Sequence, residues 1–314
     1  MIERYINPFT DFGFKKLFGE EANTDLLIDF LNSLLPDIAP ITELTFLKNE
    51  QLGATPADRK AIFDLYCQNE RGEKFIVELQ KAKQLYFKDR SLYYATFAIQ
   101  EQAIVGEWNF KLQKVYCVSI MDFVFDEHAH HQDKFRHDVQ LVETETNAVF
   151  YDKLRFVFLE MPKFNKREEE LVTHYDKWLY VLKNLARLQD LPPRLQERIF
   201  QKVFNVAELA AYNQTERYAY HDSVKYYRDM KNVIDTAIVD GLAQGIAQGL
   251  EQGLEQGLEQ GLEQGLEQGR AEGLAQGELK AILEMTRKLK ESGLAVAEIA
   301  KVTGLTETEI AGLD

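Results

Sequence analysis

An α/β sheet domain, then a wholly helical half, then a long helix built on a glycine repeat is the architecture that this 314-residue chain predicts. Three observations carry it. Between Leu44 and about Asp126 apolar residues recur with a period near two, and a helical stretch separates the last two runs. From residue 164 the periodicity becomes helical throughout. Between Gly241 and Gly277 a glycine stands at every fourth position, ten in all.

Composition limits the function classes. With 45% apolar and 28% charged residues the chain has the make-up of a folded globular protein. A net charge of −14 excludes indiscriminate nucleic-acid binding, which needs Lys and Arg to neutralise phosphates, so any DNA contact must be local. Residues 241–278 hold seven Glu against one Arg, which places six of the fourteen net negative charges in the repeat. Cys67 and Cys117 lie in apolar, strand-like runs without metal-ligand spacing and read as buried, reduced thiols. No signal segment and no run of eighteen apolar residues occurs, so the expectation is a cytoplasmic protein without a membrane span.

Taken in order, DFGFKKLFGEEANTDLLIDFLNSLLP reads as helix, with Phe14, Leu17 and Phe18 on one face and Leu26, Leu27, Phe30, Leu31 and Leu34 on the next, ended by Pro36. The runs LTFL, AIFDLYC, FIVELQ and VYCVSIMDFVF read as strands, with FKDRSLYYATFAIQEQAIV a helix before the last of them. VFYDKLRFVFLEM, residues 149–161, adds a further strand, and strands interleaved with helices imply an α/β sheet. Three helices follow: REEELVTHYDKWLYVLKNLARL, PPRLQERIFQKVFNVAELAAY with Pro192 and Pro193 at its start, and SVKYYRDMKNVIDTAIVDG. Beyond the repeat, two or three short helices close the chain, with Thr306 and Glu309 as a capping box. The expected segments are residues 1–163, 164–240, 241–278 and 279–314.

AIFDLYCQNERGEKFIVELQ, residues 61–80, is the stretch that carries charge among apolar residues. QNERGE with Gly72 is hairpin chemistry, and a turn centred near Arg71 makes cross-strand partners sum to 142, so Asp64 faces Glu78. By parity Phe63, Leu65, Cys67, Phe75, Val77 and Leu79 share an apolar face, while Asp64, Glu78 and Gln80 share the other. Opposed carboxylates repel, and a hard divalent cation would relieve them; the alternative is a solvated face on which the acids never meet.

The spacing of Asp64, then Glu78-Leu79-Gln80 after a strand and turn, resembles the PD-(D/E)xK nuclease core. DFGFKKLFG, DRKAIFDLYCQNERGEKFIVELQ, FKDRSLYYA and the glycine-every-four tail together look like the Rpn family of recombination-promoting nucleases and transposases, over residues 5 to about 278. That resemblance implies a PD-(D/E)xK fold, Mg²⁺-dependent hydrolysis of DNA (with Mn²⁺ or Ca²⁺ as possible substitutes for Mg²⁺), and Asp64 and Glu78 as metal ligands and catalytic residues. Gln80 stands where the wider superfamily has lysine, and an amide supplies no charge, though it can position water. The rival expectation is therefore the same fold with a degenerate site, acting as an interaction or inhibitor protein. Lys81 or Lys83 could replace the missing ammonium, although Lys81 has the wrong parity if the strand continues and Lys83 lies beyond its end. Asp11, four residues before Lys15 on the first helix, is the candidate third acid; the alternative is an ordinary N-terminal acid paired to that lysine. Lys15, Arg59, Lys60, Lys83, Lys88 and Arg90 are candidate phosphate contacts.

Other signals are weaker. DEHAHHQD offers Asp126, His128, His130, His131 and Asp133 as donors, but the spacing fits no established zinc pattern and a polar loop is expected there. The aromatics between Tyr175 and Tyr227, Tyr226 among them, offer a base-stacking surface as one reading, but their helical spacing makes most of them core. AVAEIAKVTGLTETEIAGL has the outline of a helix-turn-helix, yet TETEIAGLD holds no Arg, Lys, Asn or Gln to read bases.

Each glycine costs a helix about 1 kcal/mol relative to alanine, a penalty that close backbone approach to a partner helix can offset. Leu242, Leu250, Leu254, Leu258, Leu262 and Leu266 keep register with the glycines, which favours a self-associating helix over a flexible linker. As a helix the repeat spans about 55 Å and would hold the catalytic domains of a homo-oligomer at a set separation.

Overall fold

The computed structural model describes residues 3–51, 61–103, 106–128, 130–131 and 133–313. Two compact units divide the chain, Met1–Asp235 and Thr236–Asp314.

Thr10 caps α1 (Asp11–Phe18) by accepting the Gly13 N–H on its hydroxyl at 3.0 Å. Gly13 is required there, because a Cβ would lie 2.1 Å from the Asn7 carbonyl oxygen. The start of α1, and with it Asp11, is thereby fixed. Helix α2 (Thr24–Leu34) buries Leu26, Leu27, Phe30, Leu31 and Leu34, the face anticipated from their spacing.

The strands are β1 (Leu44–Phe46), β2 (Glu50–Gln51), β3 (Ala61–Ile62), β4 (Leu65–Asn69) and β5 (Lys74–Gln80), followed by α3 (Phe87–Gln100), β6 (Val115–Met121), β7 (Arg136–Val142) and β8 (Val149–Glu160). Six form one sheet in the order β1-β4-β5-β6-β8-β7, while β2 and β3 pair separately. β5, β6 and β8 run parallel, and the other neighbours are antiparallel. Helix α3 makes the crossover that a parallel β5–β6 pair demands. The hairpin register is the one expected: Leu65 pairs with Val77 and Gln68 with Lys74, each summing to 142, around a turn in which Gly72 takes φ +77°. β7 was not anticipated. It is an edge strand with a register shift against β8 and mostly exposed side chains, so RHDVQLV shows no clean alternation.

The central strands are buried on both faces. One face carries Leu65, Cys67, Phe75, Val77 and Leu79 and packs with α1, α2, α4 (His174–Asn184) and α5 (Arg198–Ala207). On the other, Tyr66, Ile76 and Cys117 meet Ala95 and Ala98 of α3. REEELVTHYDKWLYVLKNLARL is not one helix: Thr173 starts α4 with a capping box to Asp176, and this reciprocal cap stops the helix from extending backward. Likewise Pro193–Leu195 form a 3₁₀ turn and α5 begins only at Arg198. The first turns of α6 (Gln214–Glu291) dock on α1, with the Asn7 N–H donating to the Tyr220 hydroxyl at 3.0 Å and the Phe12 N–H to Ser223 Oγ at 3.1 Å.

In the second unit the glycine repeat is helical, the outcome anticipated from its register rather than a linker. Its leucines are exposed, and no atom lies within 4 Å of a Cβ built on any repeat glycine. Helices α7 (Val296–Thr303) and α8 (Glu307–Ala311) close the unit around Ile299, Ile310 and Thr286, and the Thr306–Glu309 capping box forms.

Candidate active site

The C-terminal end of β5 brings the acids together. Asp64 lies in a bend just before β4, where the Phe63 N–H donates to the Asn49 carbonyl at 2.8 Å and Asn49 Nδ2 donates to the Asp64 carbonyl at 3.0 Å. Those bonds belong to the β2–β3 side of the chain, so the β4 ladder ends at Leu65 and parity is lost at the bend. Phe63 consequently packs with Tyr66 and Ile76 beneath α3, on the face opposite the one expected. The Asp64 side chain lines a cleft with Asp11, Phe14, Leu79, Gln80 and Lys81. Glu78 faces Phe87, Arg90 and Tyr94 of α3 instead. The expectation that Asp64, Glu78 and Gln80 share one alternating strand face is corrected accordingly, and so is a solvated face: β5 has neighbours on both sides and helices above and below.

Even so, the two acids interlock. The Asp64 N–H donates to Glu78 Oε1 at 3.2 Å, and the Leu79 N–H donates to Asp64 Oδ2 at 2.7 Å. Burial pushes Glu78 up to about 8, with the neighbouring Asp64 charge adding to the rise. Asp64 is raised too, chiefly by burial and further by Asp11, against the Leu79 hydrogen bond. Two carboxylates held together at the cost of their ionisation are hard oxygen donors that lack positive charge, and a divalent cation fits that need. Asp11 sits in the same cleft and pairs with Lys15 at 3.0 Å. Among the described residues no group of three or more His, Cys, Asp or Glu side chains converges, so Asp11 does not complete a three-acid cluster with Asp64 and Glu78.

Gln80 lines the cleft, but its amide is engaged: Oε1 accepts from Arg90, and Nε2 donates to the Ala82 carbonyl at 3.2 Å. Lys81, disfavoured on parity, enters the cleft. The strand ends at Gln80, so alternation no longer governs the next residue. Lys81 Nζ lies 5.8 Å from the centroid of the Tyr226 ring and is in no ion pair among the described residues. Its pKa is lowered by burial, an effect that Asp11 and Asp64 oppose. That lysine was legible as a charge beside the site, but its direction was not.

The other cations are engaged: Lys15 with Asp11, Lys83 with Asp126, Lys88 with Glu127, and Arg90 with Gln80 and Gln84. Arg59 and Lys60 lie outside the described residues. His130, His131 and Asp133 are exposed. Tyr226 is one of the helical aromatics that is not core: it is 65% exposed and lines both the Asp64 cleft and the wider groove beside it.

A family model described as PD-(D/E)XK nuclease family transposase matches residues 8–237, ending before the glycine repeat. No curated protein and no solved structure matches the chain. Among the described residues no helix is long and apolar enough to cross a membrane.

Proposed function

This chain belongs to the PD-(D/E)XK nuclease family transposases, and on that premise we propose that it is a metal-dependent endonuclease hydrolysing DNA phosphodiesters at the Asp64 cleft. The observation that carries the reading is the interlocked pair, Asp64 and Glu78, half-buried at the end of β5 beside an open cleft. Asp64 and Glu78 would hold the cation, Mg²⁺ by donor chemistry, with Mn²⁺ or Ca²⁺ able to substitute. When bound, the ion polarises the scissile phosphate and makes a bound water a better nucleophile.

The protein's own groups account for the rest. Lys81 takes the place of the lysine absent at position 80: its ammonium enters the same cleft and can hold the attacking water or meet charge building on the phosphate. Gln80 fixes Arg90, and Arg90 lowers the cost of ionising Glu78. Asp11 holds Lys15 in the groove beside the cleft, and Lys15, Lys83 and Lys88 would each have to exchange a carboxylate partner to meet a phosphate. Recombination, a mobile element or defence against invading DNA is the setting such chemistry serves. The repeat would join identical chains and bring two such sites into one assembly.

Gln80 supports the second reading, a degenerate site in an interaction protein, because its engaged amide supplies no charge. Plasmid nicking with Mg²⁺, Mn²⁺ or EDTA separates the two. Metal-dependent cutting that disappears in Asp64→Ala and Glu78→Ala supports the nuclease; a folded protein that cuts under no metal leaves the interaction protein.

A further inference from the structure

We infer that the cleft takes an unpaired DNA strand, with Tyr226 as the platform on which a base next to the scissile phosphate stacks. The inference rests on the nuclease reading and names its substrate class. Tyr226 projects from α6 between the Asp64 cleft, about 180 Å³, and the adjoining groove of about 580 Å³, and it borders both. An exposed aromatic ring beside the cleft cation is unexplained by packing, since its neighbours Tyr220 and Val224 supply the buried face of that helix.

Charge argues against a duplex. Double-stranded DNA presents one negative charge per roughly 1.7 Å of axis and is held by rows of Lys and Arg. Around this cleft Lys15, Lys83, Lys88 and Arg90 are each engaged, and Asp11 and Asp222 line the groove. Of the two lysines lining the two openings, Lys15 is in an ion pair and Lys81 is in none among the described residues. A single strand carries about half that charge per length, one per roughly 3.4 Å, and stacking adds to its binding whatever the sequence, because every base has a π-face.

A second exposed ring lies on the connection between β5 and α3, which also carries Lys81. Gln84 lines the Asp64 cleft, and it also lines the depression that holds Leu85 and Tyr86. Tyr86 is 73% exposed and sits at φ +62°, a left-handed conformation that costs a bulky residue energy and turns it outward at the start of α3. A strand crossing the cleft would therefore find one ring at Tyr226 and another at Tyr86.

The test is binding by the full-length protein in EDTA, which does not depend on cleavage. Fluorescence anisotropy compares a labelled unpaired oligonucleotide with a hairpin duplex of the same sequence. The unpaired strand should bind more tightly, Tyr226→Ala should weaken it by about 5- to 150-fold, and Tyr226→Phe should restore it. Binding of the unpaired strand should fall with salt with a slope near that of one or two phosphate contacts. In Tyr226→Trp, the unpaired strand should quench fluorescence beyond the change from Trp108 and Trp178, which a merely structural residue would not produce. Equal or tighter binding of the duplex, no binding of either, or unchanged affinity in a folded Tyr226→Ala protein overturns the inference. Loss of cutting with stacking intact would instead count against the nuclease reading alone.

Discussion

Asp64 and Glu78 are bound to each other through the main chain: the amide of Asp64 donates to the Glu78 carboxylate at 3.2 Å, while the amide following Glu78 donates to the Asp64 carboxylate at 2.7 Å. Each acid therefore positions the other, and their burial sets the pH behaviour of the site.

Folding stability in EDTA should depend on Glu78. Its pKa rises from 4.5 unfolded to about 8 folded. A raised carboxyl favours the folded state while protonated, so this contribution is complete below about pH 4.5 and is lost as pH rises through about 8. Glu78→Gln should therefore flatten the decline of Tm between about pH 5 and about pH 9 that the native protein shows without metal. Thermal denaturation across that range measures it, and an unchanged slope counts against the burial argument.

Metal addition should act oppositely. A cation that binds only the folded state raises Tm by mass action, and at 100-fold excess over Kd the gain is about 2.7 kcal/mol. Mg²⁺ should stabilise the native protein and leave Asp64→Ala unmoved.

Lys81→Ala should lower kcat about 100-fold or more while leaving Tm nearly unchanged. Adding Gln80→Lys to that variant should not rescue it, because the side chain at 80 runs toward Arg90 and the Ala82 carbonyl. Full rescue would return the catalytic role to position 80.

Gly13→Ala should destabilise the first unit by about 3 kcal/mol, since a methyl group 2.1 Å from the Asn7 carbonyl forces the start of α1 to move. Urea denaturation reads the loss, and activity should fall with it because Asp11 begins that helix.

Replacing the glycines at 249, 253, 257, 261 and 265 by alanine separates two roles for the repeat. Within one chain the added methyls meet nothing, so the helix should gain about 1 kcal/mol of stability per site. If identical chains touch along the glycines, the same methyls hold the backbones apart, and light scattering should show a smaller assembly. An unchanged assembly size would place the contact elsewhere.

The sequence alone determined what depends on local periodicity and turn chemistry. Gly72 and its polar neighbours set the hairpin register at sums of 142, and the unbroken Leu–Gly register indicated helix through the repeat. The order of Asp64, Glu78 and Gln80 pointed to the family that residues 8–237 match. Only tertiary structure decided which way the site residues point. Pairing of β3 with β2 bends the chain at Asp64 and turns that acid away from the face of Glu78, and parity cannot foresee a bend made by a distant Asn49. β5 ends at Gln80, which frees Lys81 to enter the cleft; a strand's end is set by where its neighbours stop pairing. Tyr226 shares the spacing of core aromatics and is left exposed because α6 docks on α1 through Tyr220 and Ser223. Local sequence sets a residue's place along its own element, whereas its surroundings come from long-range packing, and the chemistry of this cleft depends on the surroundings.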